Sequence, residues 1–210
     1  MAKDKESEKL RIEAMKAFDI SEKTGNLIAG VDEAGRGPLA GPVFAAAVIL
    51  DDDVVNEGIN DSKKLSEKKR EELFDEIIKK ARAYSISSVD EKVIDEINIL
   101  QATFLAMRTA VNELSEKPDT VLVDGDKSPG IEIEHKTVVK GDSKSMVIAA
   151  ASILAKVSRD RYITKAAEKY PGYGFEKHKG YGTKAHYEAI EKYGICEMHR
   201  QSFLKKILSK

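Results

Sequence analysis

Tryptophan is absent from this 210-residue chain, and cysteine occurs once, at Cys196. One cysteine cannot close an intramolecular disulfide, and no CxxC partner lies near it for a metal or redox motif, although four histidines occur elsewhere. Packing is the role left to it. No apolar run approaches the roughly 18 residues of a membrane span. The opening MAKDKESEKLR lacks an apolar h-region and a small-residue cleavage site. These absences predict a cytoplasmic protein with no membrane partner. Net charge is missing too: 35 basic residues against 36 acidic leave −1, so bulk charge does not drive nucleic-acid binding. Phosphate contacts would fall to local clusters such as Lys63-Lys64, Lys68-Lys69-Arg70, Lys156 to Arg161 and Lys177-His178-Lys179. Each of these also reads as a solvated helix face.

What is present is a globular composition, 41% hydrophobic and 34% charged, at a length that suits one α/β domain with a small appendage at either end. Leu10, Ala14 and Phe18 recur at helical spacing, predicting a helix over 5–18. Leu27 to Val31 and Val43 to Leu50 are short β-branched runs separated by GRGPLAGP, and read as neighbouring strands. A helix over 66–81 with Ser66 as N-cap, a strand over 83–89 and a helix over 90–116 follow. Strands are expected at 120–123 and at 131–139, where Ile131, Ile133, His135, Thr137 and Val139 alternate. The small, apolar MVIAAASILAKV centres a buried helix over 143–169 that Pro171-Gly172 stops. A helix over 183–193 capped by Gly194 and a last short helix in HRQSFLKKIL close the chain. The order predicts an α/β fold with a mixed sheet flanked by helices.

Three segments bring acids to expected strand ends. Asp32 and Glu33 stand where the first strand enters the glycine loop, Asp124 precedes Gly125, and Asp142 follows the next strand in KGD. Clustered acids repel unless cations join them, and oxygen-only ligands without histidine select magnesium or manganese over zinc. Two such ions about 4 Å apart would suit phosphodiester cleavage. Neighbouring strand residues face opposite ways, so Asp32 and Glu33 share one site only if the strand ends or bulges there. An isolated exposed acid is otherwise a solvated charge, and Asp142 could instead cap the helix that follows.

VDEAGRGPLAGPV at 31–43 resembles the signature of type 2 ribonucleases H. Further resemblances are NDSKKL at 60–65, INILQAT at 97–103, LVDG at 122–125, VKGDSKS at 139–145, AAASILAKVSRD at 149–160, HKGYGT at 178–183 and HRQSF at 199–203. The resemblance implies a ribonuclease H-like fold. Its parts would be an N-terminal helical extension (1–26), a catalytic domain (27–170) and a C-terminal helical segment (171–210) that completes the substrate groove. It assigns Asp32, Glu33, Asp124 and Asp142 as catalytic, metal-binding acids, with Asp160 left as a helix-surface ion-pair former. The implied activity is hydrolysis of the RNA strand of RNA/DNA hybrids and cutting 5′ of single ribonucleotides in duplex DNA, by a monomer using Mg2+ or Mn2+.

In the family, Gly35-Arg36-Gly37 would read the ribose 2′-hydroxyl through backbone groups, and Tyr181 would pack on the sugar after the ribonucleotide; a tight turn and a core or surface tyrosine are the plainer readings. Ser62, Lys63, Ser152 and Lys156 would lie along the nucleic-acid groove and hold phosphates. Gln201, Leu204, Ile207 and Leu208 weakly echo a sliding-clamp peptide without its aromatic anchors, and read as an amphipathic helix. Type 3 relatives carry a sizeable extra N-terminal domain, for which the 26 residues before the first strand leave no room. Two other functions compete: a junction resolvase on the same fold, and a hybrid-binding module whose acids are vestigial. Acids at every motif position count against the module, and the glycine loop with Tyr181 favours ribose sensing over the resolvase.

Overall fold

A computed structural model describes residues 2–51, 58, 59, 62 and 65–205. The elements run α1 (Ala2–Glu22), β1 (Ile28–Ala34), β2 (Val43–Ile49), α2 (Glu67–Lys80), β3 (Ala83–Val89), α3 (Glu91–Asn112), β4 (Thr120–Asp124) and β5 (His135–Val138). After these come α4 (Met146–Lys169), α5 (Phe175–His178) and α6 (Lys184–Tyr193), with 3-10 turns at Gly141–Ser143 and Gln201–Phe203. The sheet order is β3-β2-β1-β4-β5. β1 to β3 pair antiparallel, whereas β4 and β5 join parallel to β1. This is the expected mixed sheet, and helices cover both of its faces.

Alternation along the strands sorts the core. Ile28, Ala46, Val48 and Leu122 face α2 and α4, while Ala29, Val31, Ala45, Ala47, Val121 and Val123 face α3. The approach of α4 to β1 is close enough that a Cβ on Gly30 would overlap the backbone of Val147 and Ile148. A strand glycine here is a packing device, since only a missing side chain lets helix and sheet come this near.

α1 docks on the body. Ile12 and Met15 enter the core. The buried Asp19 carboxylate accepts the N–H groups of Met146 (2.9 Å) and Val147 (3.1 Å), two orphan donors at the start of α4. Burial pushes its pKa up to about 6.

Three expectations change. The helix over 90–116 is broken at Asn98 (φ 67°, ψ 162°), whose Oδ1 accepts from the N–H of Leu100 and Gln101 and restarts the helix. The last strand is His135–Val138 rather than 131–139, because its partner β4 begins only at Thr120 and pairing starts at Val121↔His135. The cap of α4 is Ser145, whose side chain accepts from Ile148 N–H, so Asp142 is not the cap. In the terminal segment the described residues hold the turn Gln201–Phe203 and, at Lys205, a helical residue; residues 206–210, where the rest of the expected helix falls, lie outside them.

Candidate active site

The acids gather where the sheet opens. β1 and β4 pair as far as Val31↔Val123 and then part, one residue before Asp32 and Asp124. On its other edge β1 stays paired with β2 through Ala34↔Phe44, so the strand neither ends nor bulges at the acids. The expected interruption is therefore confined to the β4 side. Asp32 consequently falls on the α4 face, while Glu33 lines a groove of about 210 Å³ with Arg36, Leu100, Phe104, Met107 and Asp124. The kink at Asn98 places the start of that apolar wall.

Each acid is held by its surroundings. Asp32 is 5% exposed, and its Oδ1 accepts from Glu33 N–H at 2.7 Å. The Ser152 hydroxyl lies near enough to favour the charged form of Asp32. Ser152 in turn pairs with Ser62 at 2.9 Å, and both serines are buried. Asp124 Oδ1 accepts from Gly141 N–H at 2.6 Å, which fastens β4 to the turn carrying the buried Asp142. Glu33 Oε1 meets Arg36 Nη1 at 3.4 Å. Burial raises the Asp32 pKa well above the carboxylate range, and the charges of Glu33 and Asp124 raise it further.

Among the described residues, no three histidine, cysteine, aspartate or glutamate side chains close into a ready cage for an ion. The acids are an open set turned partly to protein donors. The donor chemistry nonetheless fits hard divalent cations. It is carboxylate only, and the repulsion raising Asp32 is of the kind a bound cation relieves.

The glycine loop sits beside this set. Gly35 has φ +100°, and a Cβ there would overlap the Arg159 side chain. Gly37 is different, because a Cβ on it would meet nothing nearer than the Tyr181 ring, at 3.7 Å. The Tyr181 ring is open to solvent and lies over Arg159 (5.8 Å) and Lys156 (6.0 Å). Its carbonyl accepts from His186 Nδ1 at 2.9 Å, and burial holds His186 neutral by pulling its pKa down to about 4. Lys156 Nζ is engaged by Asp160 at 2.8 Å. Asp160 forms the expected ion pair but is buried rather than at the helix surface, because Lys179 and Tyr181 fold back over this side of α4. Lys63 lies outside the described residues.

Two buried arginines were not singled out in the sequence. Arg159 donates to the carbonyls of Lys179 and Ala40, and Arg200 donates to four carbonyls of the 35–41 loop. Both fall inside matched motifs, SRD and HRQSF, and that was the available signal. Cys196 packs beside His199, with Sγ 3.2 Å from Nδ1, in line with a packing role.

The family model described as Ribonuclease HII matches residues 29–206. The chain belongs to the ribonuclease HII family. It is 63% identical over 196 residues to a curated Ribonuclease HII of Caldicellulosiruptor bescii, covering 91% of this chain and 95% of that protein. Among solved structures, it resembles ribonuclease H2 from Pyrococcus horikoshii OT3 at 33% identity and a TM-score of 0.71, covering 84% of this chain and 93% of that one. It also resembles a ribonuclease HII from Archaeoglobus fulgidus solved in complex with PCNA, at 29% identity and a TM-score of 0.64, covering 83% and 93%. As a ribonuclease HII, the chain is a metal-dependent endoribonuclease with ribonuclease H activity on RNA/DNA hybrids. The expected fold class stands with it. No helix among the described residues is long and apolar enough to cross a membrane.

Proposed function

We propose that the chain cuts on the 5′ side of single ribonucleotides embedded in duplex DNA as well as within longer hybrids, acting as a monomer in the cytoplasm. The observation that carries this reading is the open space at Gly37, where an added Cβ would meet only the Tyr181 ring, next to Arg36 in its pairing with Glu33. No interior atom requires glycine at position 37, which suits close approach by a ribose. The C-terminal segment 171–210 completes the substrate groove by supplying Tyr181.

Asp32, Glu33, Asp124 and Asp142 would hold two Mg2+ or Mn2+ ions. When bound, such ions supply Lewis-acid charge at the scissile phosphate and activate water. Ser152, backed by Ser62, orients Asp32; this buried pair serves the acid in place of holding phosphate. Gly141 N–H orients Asp124. Arg36 keeps Glu33 directed toward the loop. The loop backbone meets the 2′-hydroxyl, Tyr181 packs on the following sugar, and Lys156 stands beside that ring to meet the backbone of the duplex. Leu204, one of the residues echoing a clamp peptide, is fully buried with Leu39 and Ile190, which counts against its presentation to a clamp; Ile207 and Leu208 lie outside the described residues.

The test is cleavage of duplex DNA containing one ribonucleotide, with Mg2+ or Mn2+, beside all-DNA and four-way-junction controls. A cut 5′ of the ribonucleotide that EDTA abolishes is expected; cutting of the junction with the ribonucleotide duplex left intact would move the assignment to a resolvase. Tyr181→Ala is expected to lower cutting at the RNA-to-DNA junction of the ribonucleotide duplex about tenfold, equivalent to about 1.4 kcal/mol, with folding unaffected because the ring is solvent-facing. An unchanged rate removes Tyr181 from the substrate contacts.

A further inference from the structure

Arg200 is fully buried yet lies far from the acids in sequence. Its Nε donates to Gly41 O at 2.8 Å. Nη1 donates to Arg36 O (3.0 Å) and Pro38 O (2.9 Å), and Nη2 to Gly35 O (2.6 Å) and Gly41 O (2.6 Å). One planar guanidinium thus gathers the carbonyls on the inner side of the loop that contains Gly35-Arg36-Gly37. The turn bearing Arg200 is itself fixed. Arg200 N–H donates to Leu39 O, Ala40 bridges His199, and the Asp95 carboxylate accepts from the N–H groups of Gln201 (2.8 Å) and Ser202 (2.9 Å). Loop and turn hold each other in one arrangement, and α3 anchors both through Asp95.

With the Gly35 and Arg36 carbonyls drawn inward, the N–H groups of Arg36 and Gly37 lie on the opposite side of their peptide units, toward the open face next to Tyr181, whereas Leu39 N–H is taken by Gly180 O and Pro42 has none. Lysine cannot repeat the grip, because an ammonium is a point donor that does not span four carbonyls in one plane.

We infer that Arg200 is a specificity-determining positioning residue, which sets the backbone of the Gly35-Arg36-Gly37 loop for ribose without touching substrate. The inference rests on the proposed ribose-reading role of that loop. Burial, followed by the neighbouring charge of Arg159, pulls the Arg200 pKa down to about 9, while Glu91 and Asp95 favour its charged form.

The experiment measures affinity by fluorescence anisotropy, with EDTA keeping the duplex intact. Wild type, Arg200→Lys and Asp95→Ala are each compared on duplex DNA with one ribonucleotide and on the same duplex in all-DNA form. Wild type is expected to prefer the ribonucleotide duplex about tenfold, the worth of one or two hydrogen bonds. Arg200→Lys is expected to bring the ratio near one while all-DNA affinity stays within about twofold, because sequence-independent phosphate contacts are untouched. If Arg200→Lys fails to fold, Asp95→Ala carries the test, since it keeps the guanidinium and frees only the turn; a reduced ratio is expected there too. A preserved ratio in the folded variants, or parallel loss of both affinities, overturns the positioning role. No preference in wild type overturns the ribose reading itself, and with it the role of Arg200.

Discussion

Asp124→Asn is expected to lower cleavage by about a thousandfold or more while RNA/DNA hybrid binding is retained, because several kcal/mol of transition-state stabilisation depend on correctly charged ligands. Asparagine has nearly the shape of aspartate, and its side-chain oxygen can still accept the Gly141 N–H that holds the turn of Asp142. The change is therefore confined to charge. The affinity for hybrid should match wild type or exceed it, since a negative charge has left a site that faces phosphates. Turnover measured with Mg2+ or Mn2+, beside hybrid affinity measured with EDTA, separates the two quantities. Full residual turnover would remove Asp124 from the metal-binding set, and a loss of binding equal to the loss of turnover would make its role structural.

The positions of the acids were legible because local signals mark them. Each lies where an apolar run stops at a glycine or a tight turn, within a motif the family shares. What brings them together was not legible, because it depends on partners distant in sequence. The parting of β1 from β4 after Val31↔Val123 is a property of two strands, and Val31 alone carries no sign of it. Ser62 and Ser152 illustrate the same limit. Their motifs imply phosphate contact by resemblance, and only the fold shows that both are buried against each other, with Ser152 beside Asp32. Arg200 is a stronger case, since its carbonyl partners lie near Gly35 to Gly41 and only the folded chain joins them. Asn98 was hidden for a different reason: apolar periodicity continues through it, and the break comes from a positive φ that asparagine tolerates and then caps with its own side chain.

Gly30 links this packing to the chemistry. The residue lies in β1 two positions before Asp32 and on the same face, and the N-terminal turn of α4 rests on it. An added methyl would meet backbone atoms of Val147 and Ile148, which have no rotamer to give way, so the helix itself must move. Overpacking of this kind costs about 3 kcal/mol. Gly30→Ala is accordingly expected to lower the melting temperature by about 6 to 12 °C for a chain of this length. The helix that must move also carries Ser152, which lies beside Asp32 and favours its charged form. The folded fraction of the variant should therefore show a reduced kcat with little change in KM, because the loop and Tyr181 are held from the other end of the site by Arg200 and His186. Thermal unfolding and steady-state kinetics on one ribonucleotide substrate measure both effects. A melting temperature within about 2 °C of wild type, less than 1 kcal/mol on the same scale, would mean that α4 can shift at negligible cost and that the glycine is not what sets its distance from β1.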